Sequence, residues 1–221
     1  MKNNKNKNMK IIKETCYKGT RILVGSEKRD IINSMIKILK DEYNFQEIQI
    51  PIIQSQDLFK NKVGEENNNM MYNFKDRGDR DLCLAPEYTT IIQQLSKTTY
   101  KQNKNVLLYY ISECFRGEKP QKFRFRQFTQ FGVEILNPTQ DYLSEGANLQ
   151  YLAMKLLTNN FTVNVDDYVI NNNVKRGLDY YKDGKGFEIT CDKLGAAKQI
   201  CGGGEYDGGV GFAIGIDRLI N

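Results

Sequence analysis

Arg116, Lys119, Lys122, Arg124 and Arg126 fall within eleven residues in FRGEKPQKFRFRQFTQFGVEIL (115–136), which then alternates apolar and polar positions while keeping Gln130 and Glu134. Such a cluster of cations suits the anionic end of a ligand. Side chains alternate between the two faces of a strand. One face of 124–136 then carries Arg124, Arg126, Phe128, Gln130, Gly132 and Glu134, and the other carries Phe125, Gln127, Thr129, Phe131, Val133 and Ile135. The second set is mostly core. The first runs from cations through an aromatic ring to an amide, a gap at Gly132 and a carboxylate. A ligand with an anionic end, a flat ring and a cationic or hydrogen-bonding end matches that order, and a nucleotide joined to an amino acid has those parts. A solvated sheet face with incidental charges is the competing reading. Against it, an amide and a carboxylate on a strand inside a domain each need a partner once buried.

GVGFAIGIDRL repeats the logic: Gly209, Gly211, Ala213 and Gly215 share one face, Val210, Phe212 and Ile214 the other, and Arg218 follows in a short helix. A strand bare on one side admits a flat ligand close to its backbone, and equally admits close packing of a neighbouring element.

These residues need elements to hold them. Apolar positions at helical spacing predict a helix over 27–43, and the alternating, β-branched FQEIQIPII predicts a strand with Pro51 at its edge or end. Residues 57–69 read as helix then polar loop, MYNFKD and DLCLAPEYT as a short hairpin, and 87–99 as a helix. VLLYYISECF (106–115) and 124–136 read as strands, DYLSEGANLQYLAMKLL (141–157) as one amphipathic helix, and FTVNVDDYVI as a strand. GKGFEIT, KQICGGGEYDGG and GVGFAIG read as strands around Gly-rich turns. Hairpin-like links without a regular βαβ rhythm predict an α+β fold, an antiparallel sheet with flanking helices.

Composition narrows the chemistry. The 221 residues are 40% apolar, enough for one core, and the net charge of +5 is mild. Much of that charge sits in MKNNKNKNMK, so residues 1–14 are expected to be a disordered polar tail and 15–221 a single catalytic domain. The five scattered cysteines form no C-x-x-C pair and read as reduced thiols, no signal-peptide pattern is seen, and no apolar run is long enough for a membrane span. A cytoplasmic location is the expectation, in an organism, organelle or virus left open. The chain has no histidine, which excludes a His-ligated metal site and a His-based triad. Catalysis must run on Arg, Glu, Asp, Lys, Gln and Tyr.

Together, FRGEKPQKFRFRQFTQFGVEIL, LAPEYT (84–89), RGLDYY (176–181) with FEIT (187–190), GGGEYDGG and GFAIGIDRL resemble the signatures of class II aminoacyl-tRNA synthetases, the histidyl-tRNA synthetases in particular. The resemblance runs from YKGTR at 17 to the end. It implies the class II catalytic fold and attack of the histidine carboxylate on the α-phosphate of ATP, with Mg2+ accompanying the nucleotide. It also implies a homodimer through the 27–43 helix and the strand ending at Pro51, with histidine, ATP and tRNA(His) as partners. Carried onto matching positions, it implies that Arg116 and Arg176 are catalytic and hold the α-phosphate, and that Arg124 and Arg218 hold the β- and γ-phosphates. It places Glu118 on the adenine amino group and Phe128 against the ring. Glu87, Thr89 and Gln130 would hold the α-amino group, Glu134 and Tyr181 the imidazole nitrogens, and Tyr180 and Arg176 would complete the histidine site.

Several positions depart from the family pattern. About forty residues separate the second motif from RGLDYY, where the family has a helical insertion; Glu205, Ala85 and Tyr88 replace the residues common there; and the chain stops at Asn221, without the anticodon-binding domain. Transfer to tRNA is therefore left open. The alternative is a synthetase-like regulatory subunit of ATP phosphoribosyltransferase in histidine biosynthesis, and a third reading is an inactive fragment. The KPQKFRFRQF pattern speaks for the enzyme.

Overall fold

The computed structural model describes residues 27–60, 68–119, 124–144, 148–159, 165–174, 181–194 and 198–220. The tail expected over 1–14, and Arg176 and Tyr180, lie outside the described residues.

Helix α1 (Glu27–Tyr43) buries Ile31, Met35, Ile38 and Leu39, the stripe that its i, i+4, i+7, i+8 spacing sets on one face. Strands β1 (Gln46–Glu47) and β2 (Ile53–Ser55) follow. The single strand expected through 45–53 is thus broken, since Pro51 lacks an N–H for a ladder. A 3-10 turn at Gln56–Leu58 leads towards β3 (Asn73–Lys75) and β4 (Asp81–Leu84), the predicted hairpin. Helix α2 (Thr89–Lys97) precedes the two ten-residue strands β5 (Val106–Phe115) and β6 (Gln127–Leu136). The helix expected over 141–157 is two helices, α3 (Gln140–Ser144) and α4 (Leu149–Thr158), the second started by Asn148, whose side chain accepts from the Tyr151 amide. Strands β7 (Tyr168–Asn172), β8 (Tyr181–Cys191), β9 (Gln199–Tyr206) and β10 (Gly209–Gly215) complete the fold with a 3-10 turn at Ile216–Arg218.

The seven-stranded sheet runs β1-β5-β6-β10-β9-β8-β7. Every pairing in it is antiparallel except β1 on β5, so the antiparallel sheet expected from the sequence carries one parallel edge. Helices α1 and α4 cover one face, where Phe131, Val133, Ile135, Phe212 and Ile214 meet Met35, Leu39, Leu152 and Leu156. Helix α2 and the small sheet β2-β4-β3 cover part of the other, around Tyr88, Ile92, Tyr110, Leu136 and Tyr206. Both faces of β6 are therefore packed, with Glu134 buried on the α2 side and Thr129 buried on the α1 side against Lys28.

The apolar surface of α1 is spent on this core. Among the described residues, four large exposed apolar side chains lie on or beside the small sheet, Ile52, Ile53, Tyr72 and Phe74 at 41%, 52%, 37% and 39% exposed, and three lie elsewhere, Tyr151 on α4 and Val169 and Ile170 on β7. The register puts Ile53, Leu82, Leu84 and Phe74 on one face of that sheet, opposite the buried Cys83.

Candidate active site

A cleft with about 860 Å³ of atom-free space opens on the α2 side of the sheet. Its floor is Gln130 of β6, Ala213 and Gly215 of β10 and Gly202 of β9, and Tyr181 at the start of β8 stands at its wall.

One end is cationic. Arg116, immediately after β5, makes no ion pair with a carboxylate among the described residues; its Nε donates to the Pro86 carbonyl at 2.9 Å and its guanidinium lies 5.2 Å from the Phe128 ring centroid. Its amide donates to the Arg126 carbonyl at 2.8 Å, which closes the base of the β5–β6 connection. Arg124 Nε sits 2.9 Å from Glu118 Oε2. Arg218 follows β10 in the 3-10 turn and donates to the Gln199 carbonyl. Arg116, Glu118, Arg124, Phe128 and Arg218 all line the cleft. Burial pushes the Arg218 pKa down, and the charges of Arg124 and Arg116 push it the same way while Glu118 opposes them. Three guanidiniums thus share one end of a cleft at mutual electrostatic cost, which an incoming polyanion would relieve.

The other end is built from α2. Glu87 is buried, and its carboxylate oxygens both lie 3.2 Å from the Thr90 amide at the helix start. Thr89 donates to Glu134 Oε1 at 2.9 Å, and Tyr206 donates to Glu134 Oε2 at 2.7 Å. Gln130 Oε1 faces Cys114 Sγ at 3.1 Å and the Tyr110 hydroxyl at 3.4 Å. Burial holds the Tyr110, Tyr206 and Cys114 protons in place by raising those pKa values, so all three are donors. The Gln130 oxygen is thereby engaged, which makes its amide nitrogen the group to offer a ligand.

Glu134 differs from its expected position in one respect: it is fully buried and does not line the cleft. Burial raises its pKa to about 8, Tyr206 and Thr89 pull it down through hydrogen bonds, and the Glu87 charge pushes it up again. Thr89, which lines the cleft and bonds Glu134, stands between them.

Two of the glycines make room for neighbouring side chains. A Cβ on Gly132 would lie 2.1 Å from the Tyr110 ring, so this position clears room for Tyr110 and not for a ligand. A Cβ on Gly211 would lie 1.8 Å from Glu134 Oε2; its bare face receives that carboxylate from the paired strand. Tyr206, Tyr110 and Cys114 were not singled out by residue type or motif. Their signal was positional: Tyr206 follows the glycines of GGGEYDGG on the cleft face, opposite Gly209.

The family model described as Histidyl-tRNA synthetase matches residues 26–171. The chain belongs to the histidyl-tRNA synthetase family. The histidine–tRNA ligases of Methanococcus vannielii and Desulfitobacterium hafniense are 27% and 29% identical to it, each over 92% of this chain and over 74% and 72% of their own length. The first alignment spans 313 positions, more than the 221 residues here, so that relative carries residues within the span that have no counterpart in this chain. The apo histidyl-tRNA synthetase of S. aureus superposes with a TM-score of 0.69 at 29% identity, covering 92% of this chain and 68% of that one. A Bacillus halodurans protein described as an ATP phosphoribosyltransferase regulatory subunit/histidyl-tRNA synthetase superposes at 0.72 with 14% identity over 97% of this chain and 84% of its own, a likeness of fold. The antiparallel sheet with flanking helices is the class II architecture that the family's motifs imply.

Proposed function

We propose that this chain activates histidine with ATP, forming histidyl-adenylate and pyrophosphate. The observation that carries the reading is the division of one cleft, in a member of this family, into a three-arginine end and an end walled by Glu87, Thr89, Gln130 and Tyr181. A histidine carboxylate oxygen attacks the α-phosphorus, the bond to the β-phosphate oxygen breaks, and pyrophosphate leaves with its charge. Arg116 holds the α-phosphate, joined by Arg176, while Arg124 and Arg218 take the β- and γ-phosphates. Such catalysis is positioning plus charge neutralisation, and each lost donor costs about 10²–10³ in rate. Phe128 offers a face to adenine and Glu118 an acceptor to its amino group. Among the described residues no three acidic or cysteine side chains gather as a cation site, and Glu118 and Asp217 already pair with Arg124 and Lys28. Mg2+ is accordingly read as part of the Mg–ATP substrate.

Glu87 and Thr89 receive the α-ammonium group. Gln130, with its oxygen turned to Cys114 and Tyr110, donates from its nitrogen and suits the carboxylate better than the ammonium. Tyr181 and Tyr180 meet the imidazole, and Glu134 receives a ring N–H once Thr89 gives way. On the family reading tRNA(His) accepts the activated histidine. Two copies associate through the exposed face of the small sheet, whose contiguous apolar side chains are the kind of patch that marks an interface.

Histidine-dependent exchange between ATP and pyrophosphate tests the reading. Exchange is the expected result. Histidine binding without exchange moves the chain to the non-catalytic regulatory reading, and no binding of either substrate overturns both.

A further inference from the structure

Behind the cationic end of the cleft lies a second charged cluster that the proposed reaction does not use. Asp217 is 2% exposed and lines the cleft immediately before Arg218. One of its oxygens accepts the backbone amide of Thr129, the residue between Phe128 and Gln130, and the other lies 3.2 Å from Lys28 Nζ. Lys28 belongs to the first turn of α1, is not among the residues that line the cleft, and also donates to Thr129 Oγ1. Thr129 Oγ1 in turn donates to Glu113 Oε1 of β5 at 2.5 Å, whose other oxygen faces Gln127 Nε2 at 3.4 Å. One lysine thus ties a helix 101 residues away to β6 and 189 residues away to the turn that carries Arg218.

The electrostatics say why this matters. Asp217 is a nearly buried carboxylate beside the cationic end of the cleft, and removing one partner of a buried charge pair is strongly unfavourable. Without Lys28 its charge would repel an incoming polyphosphate and would offer the adjacent guanidinium an internal salt bridge in place of the ligand. Lys28 supplies the compensating cation from the opposite side of the sheet, where it cannot compete for phosphate.

We propose that Lys28 is a positioning residue for the nucleotide: by holding Asp217 against Thr129 from α1, it fixes the 3-10 turn and keeps Arg218 available to the phosphates. The inference rests on ATP occupying the cationic end. Calorimetric titration of ATP and of histidine, with exchange kinetics, tests it in the full chain. Lys28→Met is expected to weaken ATP binding and raise its KM by about tenfold, with histidine affinity unchanged. Lys28→Arg is expected to restore both. Adding Asp217→Asn to Lys28→Met should recover part of the ATP affinity, because the side chain that has lost Lys28 is then neutral. If Lys28→Met does not fold, Lys28→Gln keeps a donor to Thr129, removes the charge, and carries the same expectation. Wild-type ATP affinity in these variants, or equal losses for ATP and histidine, overturns the inference. Absence of ATP binding by the unaltered chain overturns the activation reading itself, and this inference with it.

Discussion

The two ends of the cleft solve opposite problems. At the cationic end Arg116, Arg124 and Arg218 stand together with their charges unfavourably close, anchored by a carbonyl, a largely buried carboxylate and another carbonyl. At the other end Glu134 is sealed from solvent with a hydroxyl on each oxygen. The first end is poised for something to arrive, and the second is satisfied without it. Binding energy at the arginines is therefore available for the charged reaction centre, whereas selectivity at the carboxylate comes from what must be unpaired to enter.

The contrast is easiest to break at Arg218. Arg218→Ala is expected to lower the rate of exchange by about 10²–10³ while calorimetry finds histidine affinity unchanged. Equal losses for both substrates would erase the distinction between the ends.

The next test addresses the sealed carboxylate through pH. Glu134 has a folded-state pKa raised from 4.5 to about 8. Between those values the folded protein keeps a proton that the unfolded chain has released, so stability falls as pH rises through the window and levels off above it. Glu134→Gln imitates the protonated acid and should flatten that decline, a difference on the order of a few kcal/mol across the window. Parallel slopes in urea melts of the two proteins would show that Glu134 is ionised throughout.

Gly211→Ala should cost about 1–3 kcal/mol of stability and weaken histidine binding, because the new methyl meets Glu134 Oε2 at 1.8 Å. ATP affinity should hold. Thermal melts with both titrations measure this. The smallest effect expected is that of salt. Raising ionic strength from about 0.05 to 0.3 M should weaken ATP binding a few-fold and leave histidine affinity within about twofold, since screening acts on the exposed charges first.

Much of this was legible in the chain. Residues 106–115 form a strand with the bounds that their composition predicts, and the hairpin at 73–84 and the Gly-rich strands fall where turn residues and alternation put them. The strand through Pro51 and the helix over 141–157 were read as continuous because apolar spacing ran through the break; the missing proline N–H and the capping Asn148 carried the correction. The convergence of Arg116, Arg124 and Arg218 on one cleft is what the family resemblance implied. The sealing of Glu134 did not, because it depends on Thr89, 45 residues earlier, and on Tyr206, 72 residues later. Similarly, Gly132 was read as room for a ligand because nothing local shows that Tyr110 of the paired strand fills it.

The place of β10 in the sheet sets an order of events during folding. It inserts between β6 and β9, so the pairing of Glu134 with Gly211 joins segments more than seventy residues apart. Non-local pairings of this kind close slowly, because the loop entropy is lost before the contacts form. Until residues 209–215 arrive, β6 has an open edge of unpaired amides and carbonyls. An inward-pointing charge is one means by which strands discourage the wrong neighbour at such an edge. Glu134, near the middle of that edge and ionised in the unfolded chain, is such a guard: a foreign strand with a side chain opposite it collides with the carboxylate, while β10 brings the glycine that leaves it room.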